Sequence, residues 1–288
     1  MGFEQAYASL VGLAVGDAFG AQILLPGEHP EILERRLPPA PWRWTDDTEM
    51  ACSIFNVLSR HGEIDQDALA GAFAAHCDPA RDYGRGAERR LARVRAGEPW
   101  REVAVDGRAS WGNGGAMRVA PLGAWFCDNL PQALRQAELS AAVTHAHFEA
   151  ITGAVAVAAA AALRAADPSL GGEGLLEEVE PLVPPCRVRD GIRSALDLLR
   201  IDADARDVVK VLGTGREVAA HDTVPLALWI AARHADSYAD ALWTAARLAE
   251  DVDTVCAIVG GVLAAGAGQQ VIPDAWRAAC EPLPAWLR

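Results

Sequence analysis

Two short acidic segments carry the residue types best suited to chemistry. Trp44–Thr48 and Glu250–Thr254 each place two aspartates beside threonine, immediately before a strongly apolar helical pattern. Helix capping is one interpretation, because Asp and Thr satisfy the free N–H groups of a first turn and acids suit its positive dipole. If the two segments converge, four carboxylates and two hydroxyls form an all-oxygen set, which binds hard cations such as Mg²⁺, Mn²⁺ or Ca²⁺. Two divalent cations would balance the four negative charges.

A glycine-rich turn and two histidines are candidates for ligand contact. Trp111–Arg118 reads Trp-Gly-Asn-Gly-Gly-Ala-Met-Arg, and successive backbone N–H groups in such a turn can hold a phosphate. A structural tight turn is the alternative, since the segment is neither GxGxxG nor a Walker motif and no predicted strand precedes it. His145 and His147 cannot share a metal on one helix face, because positions i and i+2 point apart. A helix cap or a ligand contact is more typical of either residue.

A third candidate segment is the short loop of Asp82, Tyr83 and Gly84, which lies between Arg81 and Arg85. A turn held by a salt bridge is the simple interpretation of this loop. The chain contains no GxSxG elbow, no HExxH and no credible Cys/His pairing, which argues against serine, zinc and thiol hydrolases.

Helical periodicity dominates the elements that must position these residues. We predict helices over residues 3–20, 45–61, 65–77, 85–96, 131–142, 147–166, 190–200, 204–212, 223–235, 238–250 and 254–266. Gly12, Gly16 and Gly20 lie one turn apart in the first helix and form a smooth stripe for close packing. Residues 21–41 and 171–185 are predicted as loops, the second inside one domain because the candidate chemistry comes from both sides of it. The predicted fold class is therefore all-α, with one compact domain over residues 1–288.

Composition limits the classes of protein to which the chain can belong. Its 288 residues are 51% hydrophobic, and its net charge of −13 comes from 39 acidic and 26 basic residues, so it can bury a large core and disfavours nucleic-acid binding. Six cysteines without metal-like spacing predict reduced, buried thiols, and the N-terminus resembles no signal peptide. The apolar stretches 151–163 and 255–268 fall short of the roughly 20 residues needed to cross a bilayer. We expect a cytoplasmic monomer without membrane contact.

Taken in order, these segments resemble the ADP-ribosylglycohydrolase family across nearly the whole chain. The resemblance is carried by a GxxxGDxxG opening at Gly12–Gly20, a first metal motif at Thr45–Thr48, the D-x-G loop at Asp82–Gly84, a GNG-AMR loop at Gly112–Arg118, Thr144–His145, Asp222–Pro225, a second metal motif at Asp251–Thr254 and a closing turn at Ile272–Trp276. Each motif is weak alone, whereas their order and spacing together are highly specific.

The resemblance implies an all-α fold of many orthogonally packed helices and a centre of two divalent cations, Mg²⁺ or Mn²⁺. The implied metal ligands are Thr45, Asp46, Asp47, Asp251, Asp253 and Thr254. In the glycine loop, the residues implied to hold the diphosphate or the distal ribose are Gly112, Asn113, Gly114, Gly115 and Met117, with His145 near the ribose. Asp47 and Asp82 are the candidates for the general base or for orienting the attacking water.

The implied reaction is metal-dependent hydrolysis of the glycosidic bond between ADP-ribose and an acceptor. We expect the acceptor to be an arginine side chain of an ADP-ribosylated protein, because Leu24 stands where family members often carry a glutamate tied to serine-linked substrates. Two alternatives stay open. One is hydrolysis of another ADP-ribose conjugate, whether Ser- or Thr-linked, nucleic-acid or small-molecule, and the other is a non-catalytic protein that binds ADP-ribose.

Acidic residues near the motifs also favour a cationic acceptor. Glu49 and Glu250 stand beside the two metal motifs, and we expect both at the rim of the site. Glu250 and Val252 replace Gly and Thr of the family pattern, and neither change removes an implied ligand. Glu28 is the carboxylate of the loop 21–41 that can replace the glutamate missing at Leu24.

Overall fold

The computed structural model describes residues 2–105 and 110–287. In that part of the chain the α-helices are α1 (Phe3–Gly20), α2 (Pro30–Leu33), α3 (Asp46–His61), α4 (Gln66–His76), α5 (Arg85–Arg95), α6 (Trp100–Val105), α7 (Ala120–Trp125), α8 (Leu130–Ala142), α9 (Phe148–Ala166), α10 (Gly172–Val179), α11 (Arg187–Arg200), α12 (Ala205–Leu212), α13 (Ala220–Arg233), α14 (Tyr238–Leu248), α15 (Val252–Ala267) and α16 (Asp274–Ala279). Short 3₁₀ turns form at Pro79–Arg81, Asn113–Gly115, Glu180–Leu182 and Gln269–Val271. No strand forms among these described residues, so the predicted all-α class is confirmed.

Every helix predicted from periodicity forms, with ends within three residues of the predicted ones. The loop predictions are wrong in part, because α2 lies within 21–41 and α10 within 171–185. α10 forms because Leu175, Leu176 and Val179 bury one face of it, which the Gly, Glu and Pro content of the segment conceals. α6 and α16 have no counterpart in the prediction.

The centre of the core consists of α1, α9 and α15, whose residues are mostly buried. α9 is long and apolar enough to cross a membrane, by length and composition alone. The apolar stretch 151–163, which falls short of a membrane span, is only part of this helix. However, 83% of its most apolar window is buried inside the protein, as in a core helix. The six cysteines are free thiols, and three of them are buried.

The glycine stripe of α1 packs directly on the backbone of α15. A Cβ atom on Gly16 would lie 2.2 Å from the carbonyl oxygen of Cys256. A Cβ atom on Gly20 would lie 2.6 Å from the Cα atom of Asp253. Close-packed interiors leave no room for such overlaps, so both positions exclude any side chain. This backbone contact brings the end of α1, with Asp17, to the acidic start of α15.

Candidate active site

The first acidic segment, which begins α3, is organised by a carboxylate from α1. Asp17 accepts hydrogen bonds from the backbone N–H groups of Thr45 (2.9 Å) and Thr48 (3.1 Å) and from their hydroxyls, at 2.8 and 2.5 Å. Burial raises the pKa of Asp17 to about 7, and the nearby charge of Asp253 contributes to the rise. Asp17 is not among the predicted site residues, although an acid among the apolar residues and glycines of the second half of α1 is a signal that could have indicated it.

Thr45 and Asp47 form the inner side of this first segment. Thr45 is the N-cap of α3, and its hydroxyl accepts a hydrogen bond from the Asp47 N–H at 3.4 Å. The capping interpretation therefore holds for Thr45. It does not account for Asp47, whose side chain is buried and whose Oδ1 has no hydrogen-bond partner among the described residues.

The second acidic segment, which begins α15, is joined to the glycine loop. Asn113 Nδ2 donates hydrogen bonds to Asp251 Oδ2 at 2.6 Å and to Thr223 Oγ1 at 3.0 Å. The Thr254 N–H donates to Asp253 Oδ1 at 2.9 Å. Asn113 therefore fixes Asp251 relative to the loop that is expected to contact substrate.

Both acidic segments open into one cavity of about 350 Å³, a volume typical of small-molecule sites. The predicted site residues on its wall are Asp46, Asp47, Asp82, Gly112, Asn113, Gly114, Met117, His145, Asp251, Asp253 and Thr254. Thr45 and Gly115 lie outside the wall. The hydroxyl of Thr45 turns to Asp17, and Gly115 packs against Ala141 of α8.

Three carboxylates of this cavity, those of Asp46, Asp47 and Asp251, have raised pKa values. Burial, together with the charges of Asp17 and Asp253, raises the pKa of Asp46 to about 8. Burial is also the main reason why the pKa of Asp47 rises well above its ordinary value and that of Asp251 rises to about 7. A bound divalent cation would stabilise the ionised forms, because it offsets both the lost hydration and the mutual repulsion.

The donor set fits a hard cation by its chemistry. It consists of carboxylate and hydroxyl oxygens, and Asp47 contributes a buried oxygen without a partner. Within residues 2–105 and 110–287, no group of three or more His, Cys, Asp or Glu side chains already stands in a metal-ligating arrangement. The fit therefore rests on donor chemistry and charge, and the metal ligands remain a prediction.

Sequence and structure comparisons decide the family. The sequence model of the ADP-ribosylglycohydrolase family matches residues 2–288. The chain belongs to this family. A solved structure described as an ADP-ribosylglycohydrolase-related protein complex superposes with a TM-score of 0.62 at 27% sequence identity, covering 97% of this chain and 93% of that one.

Relatives of this ADP-ribosylglycohydrolase come from archaea, bacteria and animals. An uncharacterized protein of Archaeoglobus fulgidus is 32% identical over 93% of this chain and 88% of its own length. ADP-ribosylarginine hydrolase Tri1 of Pseudomonas putida is 27% identical over 95% of this chain and 73% of its own. Human ADP-ribosylhydrolase ARH3 is also 27% identical, over 83% of this chain and 74% of its own length. The prediction of an ADP-ribosyl hydrolase is confirmed at the level of the family.

The segment that lacks the frequent family glutamate lies away from the cavity of this ADP-ribosylglycohydrolase. Leu24 is 87% exposed, and the cavity wall contains no residue of 21–41. Glu28 forms a surface ion pair with Arg247 at 2.8 Å. In this structure Glu28 does not replace the missing glutamate.

The two acids expected at the rim differ in their positions. Glu49 is buried, and its Oε2 accepts hydrogen bonds from the Asp78 N–H at 3.0 Å and the Tyr83 hydroxyl at 2.9 Å. The placement of Glu49 at the rim is therefore wrong, because this side chain holds the loop before Asp82. Glu250 is exposed and accepts a hydrogen bond from the Thr214 hydroxyl at 3.1 Å.

The D-x-G loop is held by a salt bridge, as its simple interpretation predicts, but the partner is distant in sequence. Arg81 pairs with Glu281, donates to the Trp44 carbonyl oxygen at 2.9 Å and stacks over the Trp44 ring. Asp82 is exposed at the mouth of the cavity and has a positive φ of 59°. A non-glycine residue in this conformation is strained, and such strain is frequent at functional sites.

His145 lies behind the glycine loop and is held as a neutral imidazole. Its Nδ1 is 2.8 Å from the Thr144 hydroxyl, which accepts a hydrogen bond from Arg118 at 2.7 Å. Burial, with the positive charges of Arg118 and Arg90, lowers the pKa of His145 to about 3. A Cβ atom on Gly114 would lie 3.2 Å from this ring, so the glycine lets the loop pack against His145.

His147 has a different role from His145. Its Nδ1 accepts a hydrogen bond from the Glu149 N–H at 3.2 Å and so caps α9, one of the two roles expected for it. The two histidines therefore do not form a shared metal site.

The other end of the cavity is apolar and was not predicted. Leu91 and Val94 from α5 line it together with Val103 from α6. Arg85 and Arg90 also contribute to this wall. The acidic motifs do not indicate this end of the cavity, because its residues follow the ordinary periodicity of helices in the sequence.

Proposed function

We propose that this ADP-ribosylglycohydrolase removes ADP-ribose from arginine side chains by metal-dependent hydrolysis of the glycosidic bond. The observation that carries the proposal is the convergence of both acidic segments, the glycine loop and His145 on one cavity. The Pseudomonas putida relative, which is named an ADP-ribosylarginine hydrolase, supports the choice of acceptor.

The proposed cation ligands come from the two acidic segments. They are Thr45, Asp46, Asp47, Asp251, Asp253 and Thr254, and the cations are Mg²⁺ or Mn²⁺. When bound, two such cations supply Lewis acidity at the ribose and favour ionisation of a water molecule. Asp17 contributes by holding the backbone of the first segment, so that the carboxylates of Asp46 and Asp47 stay in the cavity.

Bond cleavage leaves positive charge on the anomeric carbon of the distal ribose, which the aspartates of the cavity stabilise. Asp47 is the preferred general base, because its buried Oδ1 has no hydrogen-bond partner among the described residues. Asp82, exposed at the cavity mouth, is the second candidate, as a base or to orient the water. Neutral His145 contacts the ligand without adding charge.

The preference for arginine rests on charge and on the 21–41 segment. Five aspartates line the cavity and favour a cationic acceptor: Asp46, Asp47, Asp82, Asp251 and Asp253. No carboxylate of the described segment 21–41 reaches the wall, so the glutamate linked by resemblance to serine substrates has no substitute there.

Matched peptides carrying Arg-linked or Ser-linked ADP-ribose test this function. We expect a higher kcat/KM for the Arg-linked peptide, loss of activity with a chelator, and recovery with Mg²⁺ or Mn²⁺ but poor recovery with Zn²⁺. Glu28→Gln is the control and should leave both rates unchanged, since Glu28 pairs only at the surface.

Three outcomes would contradict parts of this proposal. A preference for the Ser-linked peptide would overturn the acceptor, and full turnover in chelator would overturn the metal requirement. Binding of ADP-ribose without cleavage of any conjugate would show a non-catalytic protein.

A further inference from the structure

Arg90 is a half-buried cation on the cavity wall that pairs with no acid among residues 2–105 and 110–287. It lies in the middle of α5, and its Nε is a buried atom that makes no hydrogen bond in the described part of the chain. Burial and the neighbouring charge of Arg89 lower its pKa. Partial burial makes an anionic partner favourable for this guanidinium, and no acid of the described residues provides one.

The side chain of Arg90 lies back over the first turn of α5. Side chains on a helix lean toward its N-terminus, and a Cβ atom on Gly86 would lie 3.4 Å from Arg90 Nη1. Gly84, Gly86 and Ala87 line the cavity at the same place. The guanidinium therefore borders the open space of the cavity.

The other two guanidinium groups on the cavity wall, those of Arg85 and Arg118, are less suited to bind an anion inside the cavity. Arg118 also has a buried Nε without a partner among the described residues, but it is only 1% exposed, donates to Thr144 and packs over the Phe73 ring at 4.5 Å, so it is less accessible to a ligand. Arg85 is exposed at the start of α5. Arg90 and Arg118 line the same cavity as His145.

We infer that Arg90 binds the diphosphate of ADP-ribose, together with the glycine loop. This inference rests on the proposed function for the identity of the ligand. The diphosphate is the anionic part of that ligand, and Arg90 supplies a positive charge on the cavity wall to meet it. A guanidinium offers paired N–H donors that match phosphate oxygens, and an anion also relieves the repulsion between Arg90 and Arg118.

Calorimetric binding of ADP-ribose, ADP and adenosine to the Mg²⁺-loaded protein tests this inference. Arg90→Gln should weaken ADP-ribose and ADP binding about tenfold or more, the loss typical of one charge-assisted hydrogen bond. Adenosine, which has no phosphate, should bind Arg90→Gln and the wild type equally. Arg89→Gln is the matched control, because Arg89 is an exposed neighbour outside the wall, and it should change nothing.

Arg90→Lys separates charge from geometry and guards against misfolding of the glutamine variant. It should bind ADP-ribose with intermediate affinity, because the lysine ammonium keeps the positive charge but lacks the paired N–H donors of a guanidinium. In the wild type, ADP-ribose binding should weaken as salt rises, while adenosine binding stays constant. Circular dichroism and metal content should match the wild type for both variants.

If Arg90→Gln lowered the affinity for adenosine and for ADP-ribose equally, the inference would be overturned. Such a result would show that Arg90 shapes the cavity without binding phosphate. Unchanged ADP-ribose affinity, or a wild type that binds no ADP-ribose, would overturn it as well. Peptide hydrolysis is scored separately. A protein that binds ADP-ribose through Arg90 but cleaves no conjugate would contradict the proposed function and leave this inference intact.

Discussion

The two acidic segments look alike in sequence but are held in different ways. At the start of α3, Thr45, Asp47 and Thr48 are buried, and Asp17 accepts four hydrogen bonds from that start. At the start of α15, Asp251 is half-buried and accepts a hydrogen bond from Asn113 of the glycine loop. The first segment therefore depends on the protein core, and the second depends on the loop that is expected to hold substrate.

This difference indicates that the two segments have different roles in the proposed centre. The first segment is preorganised by Asp17 and would set where a cation of the proposed centre is held. The position of the second segment is linked to the glycine loop, so ligand contact at the loop and cation contact at Asp251 influence each other through Asn113.

Removal of the Asp17 carboxylate should have the largest effect. In Asp17→Ala, the N–H groups of Thr45 and Thr48 lose their acceptor, so we expect undetectable activity and a loss of about 3 kcal/mol of unfolding free energy in Mg²⁺. Metal analysis, kcat/KM and urea unfolding measure these changes. Asp17→Asn, which keeps one acceptor oxygen, should retain part of the stability. Wild-type metal content in Asp17→Ala would contradict the central role of Asp17.

At the second segment, Asp253→Ala should abolish activity and lower metal occupancy while the helical fold persists. Asp253 is half-buried at the start of α15 rather than within the core, so its loss leaves little unsatisfied. Metal analysis and circular dichroism are the measurements. Asp274→Ala, an exposed acid at the start of α16, is the matched control and should behave as the wild type. Full turnover by Asp253→Ala would refute its assignment as a ligand.

The hydrogen bond between Asn113 and Asp251 should contribute less to activity than the proposed metal ligands themselves. Asn113→Ala is expected to reduce kcat/KM about 10- to 100-fold, the usual cost of removing a group that orients a ligand. Thr223→Ala removes only the other partner of Asn113 and should cost less. If both variants lose the same activity, Asn113 acts through the core rather than through Asp251. Steady-state kinetics at saturating Mg²⁺ distinguishes these cases.

The smallest effect concerns His145 behind the loop and depends on pH. Its folded pKa of about 3 lies below the ordinary 6.5, so between these values only the unfolded chain binds the proton. Stability should therefore fall as pH drops below 6.5, by about 2 kcal/mol between pH 7 and pH 5. Urea unfolding of His145→Gln at both pH values should lack this contribution. An identical pH dependence in the variant and the wild type would show that His145 is not buried as a neutral base.

Local patterns account for what could be predicted. The cap of α3 at Thr45, the end of α3 at residue 61 and the glycine stripe of α1 each depend on a few neighbouring residues. The role of Asp17 is not local, because its partners lie about 30 positions further along the chain. The same is true of Arg90, whose surroundings come from several helices that periodicity alone cannot place together.

Glu49 and α10 show two further reasons for wrong predictions. Glu49 follows the first metal motif directly, yet the turn of α3 points it to Tyr83 instead of the rim. α10 has a loop-like composition, and tertiary burial of Leu175, Leu176 and Val179 overrides it. In both cases the deciding contact joins residues that are distant in sequence.

The glycine contact between α1 and α15 also determines the order in which the molecule can assemble. During synthesis α1 is made well before the surface that it fits, which lies on Val252–Ala267. A contact that spans nearly the whole chain is slow to form, and until then the apolar face of α1 needs protection. The nascent protein therefore cannot complete its acidic centre before α15 has been made. Any product truncated before α15 would carry the first acidic segment without its counterpart.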